Sequence, residues 1–333
     1  MKSILLSIVI SILIVGAARA QDTFSIVAAD STTREVGSAG ASCVDLFAAG
    51  ISDIGFLGDL LPDTGTINTQ AYYLVANQNN ARAKMREGYT PAEIIEWLST
   101  NDVQGNSTRR QYGIVGFGGI DVSAAAFTGA NCDNYKNHKT GNINGIYYSI
   151  QGNILLGQLV IDSMESRFRK AQGDLACRLM AALQGAKRVG ADTRCTADGT
   201  SSLFAFVKVA QPTDSYGNPS FFLGVRTHDN AHIEPIDSLQ IIFDEQHFCE
   251  TISISENHKY EIKIFPNPAG NEIKITFDHS LIGQIFTIKD QLARPLIQGK
   301  ISEINQHVDV KELSPGLYMI CVDPIHWQRF LKN

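Results

Sequence analysis

Thr23-Phe24-Ser25-Ile26-Val27-Ala28-Ala29 alternates Phe24, Ile26 and Ala28 on one face, the period of a β-strand. Asp30 to Thr33 supplies a turn, and Glu35 to Ser42 returns as a second strand of small residues. The two make a hairpin whose glycine and alanine faces let another layer approach closely. Thr64 to Gln70 predicts a third strand, and Tyr72 to Arg86 a helix that ends before Gly88, a suitable C′ residue. Thr90-Pro91-Ala92-Glu93 starts the next helix: Thr90 caps, Pro91 needs no N–H partner in the first turn, and Glu93 closes a capping box.

Further along, Gln111 to Phe117 and Val122 to Phe127 read as a hairpin turned at Gly118-Gly119. Tyr147 to Gln151 is another strand. It leads through Gly152-Asn153 into a helix with Leu156, Val160, Met164 and Phe168 at four-residue spacing, a stripe that belongs to a core. Leu175, Leu179 and Leu183 mark a second helix beginning at Asp174. Ser202 to Val209 and Phe221 to Arg226 form a third hairpin, and Pro235 to Phe243 a short closing helix. Strands grouped between pairs of helices predict an α+β fold, with antiparallel sheets covered by helices and not a doubly wound parallel sheet. The Gly116 to Gly119 run lies between two strands, which is the wrong place for a phosphate loop.

From about residue 260 the pattern changes. Lys259 to Phe265, Glu272 to Phe277, Gln284 to Lys289, Pro295 to Ile301, His307 to Val310 and Leu317 to Val322 are short alternating segments separated by turn residues. They predict a small all-β, immunoglobulin-like sandwich over residues 260–333, joined by a polar linker over 250–259 to a main domain over 23–249.

The N-terminus predicts export. Lys2 precedes an apolar run from Ile4 to Gly16, and Ala18-Arg19-Ala20 offers small residues for a signal peptidase. As a helix, those thirteen residues rise only about 20 Å and fall short of a ~30 Å hydrocarbon core. A signal peptide over 1–20, cleaved after Ala20, leaves Gln21 as the first mature residue. The formal net charge of -6 and the lack of a basic stripe argue against nucleic acid as a partner.

Six cysteines then enter a compartment where disulfides form. Five precede residue 260, so at least one main-domain thiol lacks a partner within that domain. Cys177 and Cys195 are the first pair to test, with small buried thiols as the alternative. No CxxC occurs and the histidines lack ligand spacing, so neither a metal site nor a cofactor is predicted. Cys43 has no base beside it in sequence, His138 sits in a polar loop, and no GxSxG elbow is present.

Phe265-Pro266-Asn267-Pro268, Asn271-Glu272-Ile273, Leu313-Ser314-Pro315-Gly316-Leu317-Tyr318 and the ending Arg329-Phe330-Leu331-Lys332 resemble the type IX secretion sorting domain of Bacteroidetes. That resemblance implies passage via the periplasm and across the outer membrane by the type IX secretion machinery, to a secreted or surface-anchored state. In the main domain, Thr23 to Ala28, Asn68 to Ala71, Arg110 to Val115, Phe127 to Gly129, Ser149 to Gly157 and Gly190 to Arg194 resemble, in order, the family known as domain of unknown function 1028. That family is placed among relatives of the Ntn (N-terminal nucleophile) hydrolases, which implies a four-layer α-β-β-α sandwich.

In an Ntn hydrolase the first residue is Thr, Ser or Cys, and its α-amine is the general base. Thr23 is then the candidate nucleophile, Asn153 an oxyanion donor, and Asp192 with Arg194 a charged pair orienting the site. The ligand would be a small amide or peptide-like molecule. Gln21-Asp22 stand ahead of Thr23, so the mechanism requires their removal. The alternative is a non-catalytic secreted or surface-displayed binding protein, in which Thr23 merely starts a strand, Asp192 and Arg194 form a structural salt bridge, and Gln151 and Asn153 satisfy backbone groups.

Overall fold

The computed structural model describes residues 23–119, 121–249, 262–290, 294–322 and 327–333. The expected signal peptide and linker lie outside them. The chain forms two compact units, one ahead of residue 253 and one after it.

In the first unit the strands are β1 (Phe24–Asp30), β2 (Val36–Ser42), β3 (Gly58–Leu61), β4 (Gly65–Gln70), β5 (Gln111–Gly116), β6 (Ser123–Thr128), β7 (Asn137–Ile143), β8 (Ile146–Gly152), β9 (Phe204–Ala210) and β10 (Phe221–Arg226). The helices are α1 (Val75–Arg86), α2 (Pro91–Thr100), α3 (Gln158–Lys170), α4 (Leu175–Ala186) and α5 (Pro235–Gln246). One sheet runs β10-β9-β2-β1-β8-β7 and the other β3-β4-β5-β6. Every pairing within them is antiparallel. Helices α3, α4 and α5 cover the outer face of the larger sheet, α1 and α2 that of the smaller, and the two sheets face each other. The result is the four-layer α-β-β-α sandwich.

Period-two alternation assigns each strand residue to a layer. On β1, Phe24, Ile26 and Ala28 join Val160, Met164, Phe168, Leu179 and Leu183 in the outer core. Val27 and Ala29 turn the other way and meet Val36, Leu60 and Val115 between the sheets. The capping box of α2 is present, with Thr90 N donating to Glu93 Oε2 at 2.8 Å and Glu93 N to Thr90 Oγ1 at 3.4 Å. Glycine has a steric task at Gly113 of β5, where an added Cβ would lie 1.9 Å from Oε1 of Gln151. Gly113→Ala should therefore displace that buried amide and cost about 1–3 kcal/mol, read as a lower urea midpoint.

Four expectations need correction. β3 was absent from the strand reading, being only four residues long and half glycine and aspartate. His138, expected in a polar loop, lies on β7; the strand is at the edge of its sheet, where polar side chains can stay partly solvated. Leu156 precedes α3 and is 51% exposed, while Val160, Met164 and Phe168 carry the stripe. Cys177 and Cys195 do not pair: the disulfides are Cys43–Cys195 and Cys177–Cys249, with Cα–Cα separations of 5.6 and 5.7 Å. Cys177 lies in the first turn of α4 and Cys195 beyond its end. The helix between them spans about 14 Å from Cys177 onward, beyond a disulfide's reach. Cys132 is buried outside both bridges, and its Sγ donates to Arg110 O at 3.3 Å.

The second unit contains β11 (Lys263–Phe265), β12 (Glu272–Thr276), β13 (Ile285–Lys289), β14 (Pro295–Lys300), β15 (Asn305–Asp309), β16 (Gly316–Cys321) and β17 (Trp327–Lys332). They form two sheets, β11-β12-β15 and β14-β13-β16-β17, around Ile273, Ile275, Phe286, Ile288, Ile320 and Phe330. This is the expected all-β sandwich, with β17 added to the strands foreseen.

Candidate functional site

Thr23 stands one residue ahead of β1, fully buried. The last paired positions beside it are Phe24 with Ala41 and Phe24 with Gly152, so Ser42 and Asn153 flank it on either side. Its backbone is held at both ends. Thr23 N donates to Asn153 Oδ1 at 3.3 Å, and Thr23 O accepts from Asn153 N at 3.1 Å and from Gln70 Nε2 at 3.0 Å.

Asp192 and Arg194 come to the same end of the sheet. The Arg194 guanidinium grips the Asp192 carboxylate through Nε at 3.0 Å and Nη2 at 2.7 Å. Nη2 also lies 3.3 Å from Ser42 Oγ, next to Thr23 across the β1–β2 pairing. Asp192 is itself committed to backbone, accepting from Cys43 N at 2.9 Å and Arg194 N at 3.2 Å. Such a carboxylate is fixed in place and suits positioning better than proton transfer. The Cys43–Cys195 bridge ties this short 3₁₀ turn to the end of β2. All four predicted residues thus meet at one end of the larger sheet. A cavity of about 440 Å³ opens against Arg194, the one of the four that lines it, with Cys43, Asp45, Leu203 and Asp229.

A polar layer between the sheets was missed. Ser25 donates to Gln70 Oε1 at 2.5 Å and accepts from Gln151 Nε2 at 2.7 Å. Gln70 Nε2 reaches Gln111 Oε1 at 2.7 Å, and Gln111 Nε2 reaches Thr128 Oγ1 at 2.8 Å. Thr128 Oγ1 lies 2.8 Å from His138 Nδ1. Burial lowers the pKa of His138, so it favours the neutral imidazole. A hydrogen-bonded chain therefore runs from β7 through the inter-sheet layer to the carbonyl of Thr23. The signal for it was present in sequence: Ser25, Gln70, Gln111 and Gln151 occupy inward positions where a plain core would place aliphatic residues.

Residues 23–239 match the family of unknown function DUF1028. The chain belongs to that family. Residues 263–325 match a secretion-system C-terminal sorting domain, which implies handling by the type IX secretion machinery and a secreted or cell-surface location. A crystal structure of a DUF1028 protein from Silicibacter pomeroyi is similar at 22% identity, covering 67% of this chain and 88% of that one with a TM-score of 0.52. It shares the fold. No curated protein matches. In the DUF1028 unit, Asp174, Cys177 and His247 cluster, but Cys177 gives its sulfur to the bridge with Cys249, leaving His247 Nε2 2.9 Å from Asp174 Oδ2.

Opening Cys43–Cys195 by a double alanine replacement should cost about 2–5 kcal/mol, since the bridge closes a 152-residue separation. It should also free the Asp192–Arg194 turn. Cys177→Ala with Cys249→Ala should cost a similar amount and leave that turn protected, a contrast that amide exchange of residues 192–196 would read.

Proposed function

We propose that the DUF1028 unit is a secreted amide hydrolase of the N-terminal-nucleophile type, acting on a small amide or peptide-like substrate. The observation that carries this reading is the setting of Thr23. It stands just ahead of the central β1 strand, its nitrogen faces the Asn153 amide oxygen at 3.3 Å, and its carbonyl is pinned from two sides. Once Gln21 and Asp22 are removed, that nitrogen becomes an α-amine. The Thr23 hydroxyl oxygen adds to the substrate carbonyl carbon while its proton passes to this amine. The tetrahedral intermediate collapses, the leaving amine takes the proton, and an ester to Thr23 remains for water to hydrolyse.

The other residues support this chemistry by position. Asn153 holds the nitrogen, and Arg194, fixed by Asp192, adds positive charge beside Ser42 and the neighbouring cavity. The signal peptide would deliver the chain to the periplasm, and the sorting domain would take it across the outer membrane and then be removed or anchored.

Mass spectrometry of the protein recovered from the culture medium or cell surface tests the reading. A chain starting at Thr23 supports it. A chain starting at Gln21, or at its cyclised form, overturns it and assigns the alternative, a binding protein on the same fold.

A further inference from the structure

The larger sheet is wider than the smaller one, and its β9–β10 edge runs past β3, the edge strand opposite. A cavity of about 350 Å³ fills the overhang, within the range that holds small ligands. It is remote from Thr23. Lys208 on its floor pairs with Ser38, which pairs with Val27, two strands across and four residues along β1 from Thr23.

The lining mixes charged and apolar groups, with Asp53, Asp59 and Lys208 set among Phe56, Leu60, Val75 and Phe222. Two of the three Lys208 ammonium N–H groups go to Gly55 O at 2.9 Å and Gly58 O at 2.6 Å, leaving one unspent. Asp53 and Asp59 lie on the same wall, and Arg82 pairs with Asp59 at 2.7 Å. The Tyr73 hydroxyl donates to Gln78 Oε1 at 3.1 Å and keeps its lone pairs as acceptors. Burial, then the charges of Asp59 and Asp53, push Tyr73 up to about 12, so its hydroxyl stays protonated at neutral pH. At the mouth, Tyr216 and Phe222 are 44% and 45% exposed, and the guanidinium groups of Arg82 and Arg86 back Tyr216 at 4.8 and 5.1 Å.

In the lining, Asp53 and Asp59 stand against Lys208 and against the Arg82 that pairs with Asp59, so an ionic ligand of either sign finds the opposite charge there already matched, while Arg86 is set against the Tyr216 ring. An apolar ligand would strip water from the Lys208 ammonium and the tyrosine hydroxyls without replacing their bonds. A neutral ring bearing several hydroxyls satisfies both conditions, because each hydroxyl donates and accepts while the C–H face lies on an aromatic ring. The geometry points to a saccharide-binding site here, with Lys208 and Tyr73 meeting the hydroxyls and Tyr216 and Phe222 the ring face.

Calorimetric titration of the full chain with cellobiose, maltose and N,N′-diacetylchitobiose tests this, with citrate and spermidine as charged controls. At least one disaccharide should bind with a Kd of about 1 mM or tighter. Tyr216→Ala, a change at an exposed rim position, should weaken it about tenfold or more, a loss of roughly 1.4 kcal/mol. Lys208→Met should do the same, whereas Thr23→Ala should bind as the parent does. Failure of all three disaccharides to bind at about 10 mM overturns the assignment. So does binding that survives Tyr216→Ala unchanged, or saturation by citrate or spermidine in their place.

Discussion

Thr23→Ala is expected to lower amide turnover by about 10⁴-fold or more while leaving the fold intact. The fold is expected to survive because three of the bonds that seat this residue are made by its backbone: Thr23 N to Asn153 Oδ1, and Asn153 N and Gln70 Nε2 to Thr23 O. Alanine keeps all three and removes the hydroxyl. Thr23→Ser restores a hydroxyl at the same place and should retain measurable turnover. The rate should rise with pH through an inflection near 8, because only the neutral α-amine can accept the hydroxyl proton. Asn153 Oδ1, an acceptor, favours the ammonium and moves that inflection up; the burial of Thr23 opposes it. Release of p-nitroaniline from a panel of chromogenic amides, by protein whose N-terminus is confirmed as Thr23, provides the readout. Turnover by Thr23→Ala at the parent rate would falsify the nucleophile assignment.

The fold was legible wherever burial imposed a pattern. β1, β2 and β9 are buried on both faces and read as runs of apolar and small residues, while α2 and α4 keep an apolar stripe at helical spacing. β7 was illegible because an edge strand need not bury a face, so Asn137, Lys139 and Asn142 mimic a loop. Cysteine pairing was illegible for a different reason. Partners separated by 152 and 72 positions meet only through the tertiary fold, and spacing favoured the nearer, wrong combination. The site was half visible. Thr23, Asn153, Asp192 and Arg194 were named through family likeness, and the structure brings them to one sheet end. Gln70 and Gln111 lay inside quoted stretches without a role, since a buried amide network needs both sheets before its partners exist. His138 shows the same limit: its partner Thr128 belongs to the other sheet.

Arg110 lies inside one of those family stretches, next to Gln111, and its task is structural. Arg110→Met should cost about 3–5 kcal/mol of stability. The Arg110 and Asp102 side chains are 4% and 2% exposed, with Nε 2.8 Å from Oδ2. Arg110 also donates to Gln104 Oε1 and to Tyr72 O, so one guanidinium joins the loop after α2 to the residues ahead of α1. Without it, the Asp102 carboxylate stays buried with only the donors from Asn77, Gln104 N and Asn106 N at 2.5, 3.0 and 2.9 Å. An unpaired buried charge costs more than the pair contributed, so Asp102→Asn added to Arg110→Met should recover part of the loss. Acid supplies an independent check. Burial alone would raise the Asp102 carboxyl, but the bonds from Arg110, Asn106 N and Asn77 outweigh it and hold the group well below the usual carboxylate range. A depressed folded-state value means the stabilisation is complete above about pH 4 and is lost as pH falls through that lower value. The parent should therefore weaken on acidification below about pH 4 more steeply than Asp102→Asn, which has no carboxyl there to protonate. Urea midpoints at neutral and acid pH, assigned to this unit by hydrogen exchange of the β5 amides, would measure both effects. A midpoint for Arg110→Met equal to the parent's would show that the three remaining donors satisfy Asp102 without the guanidinium.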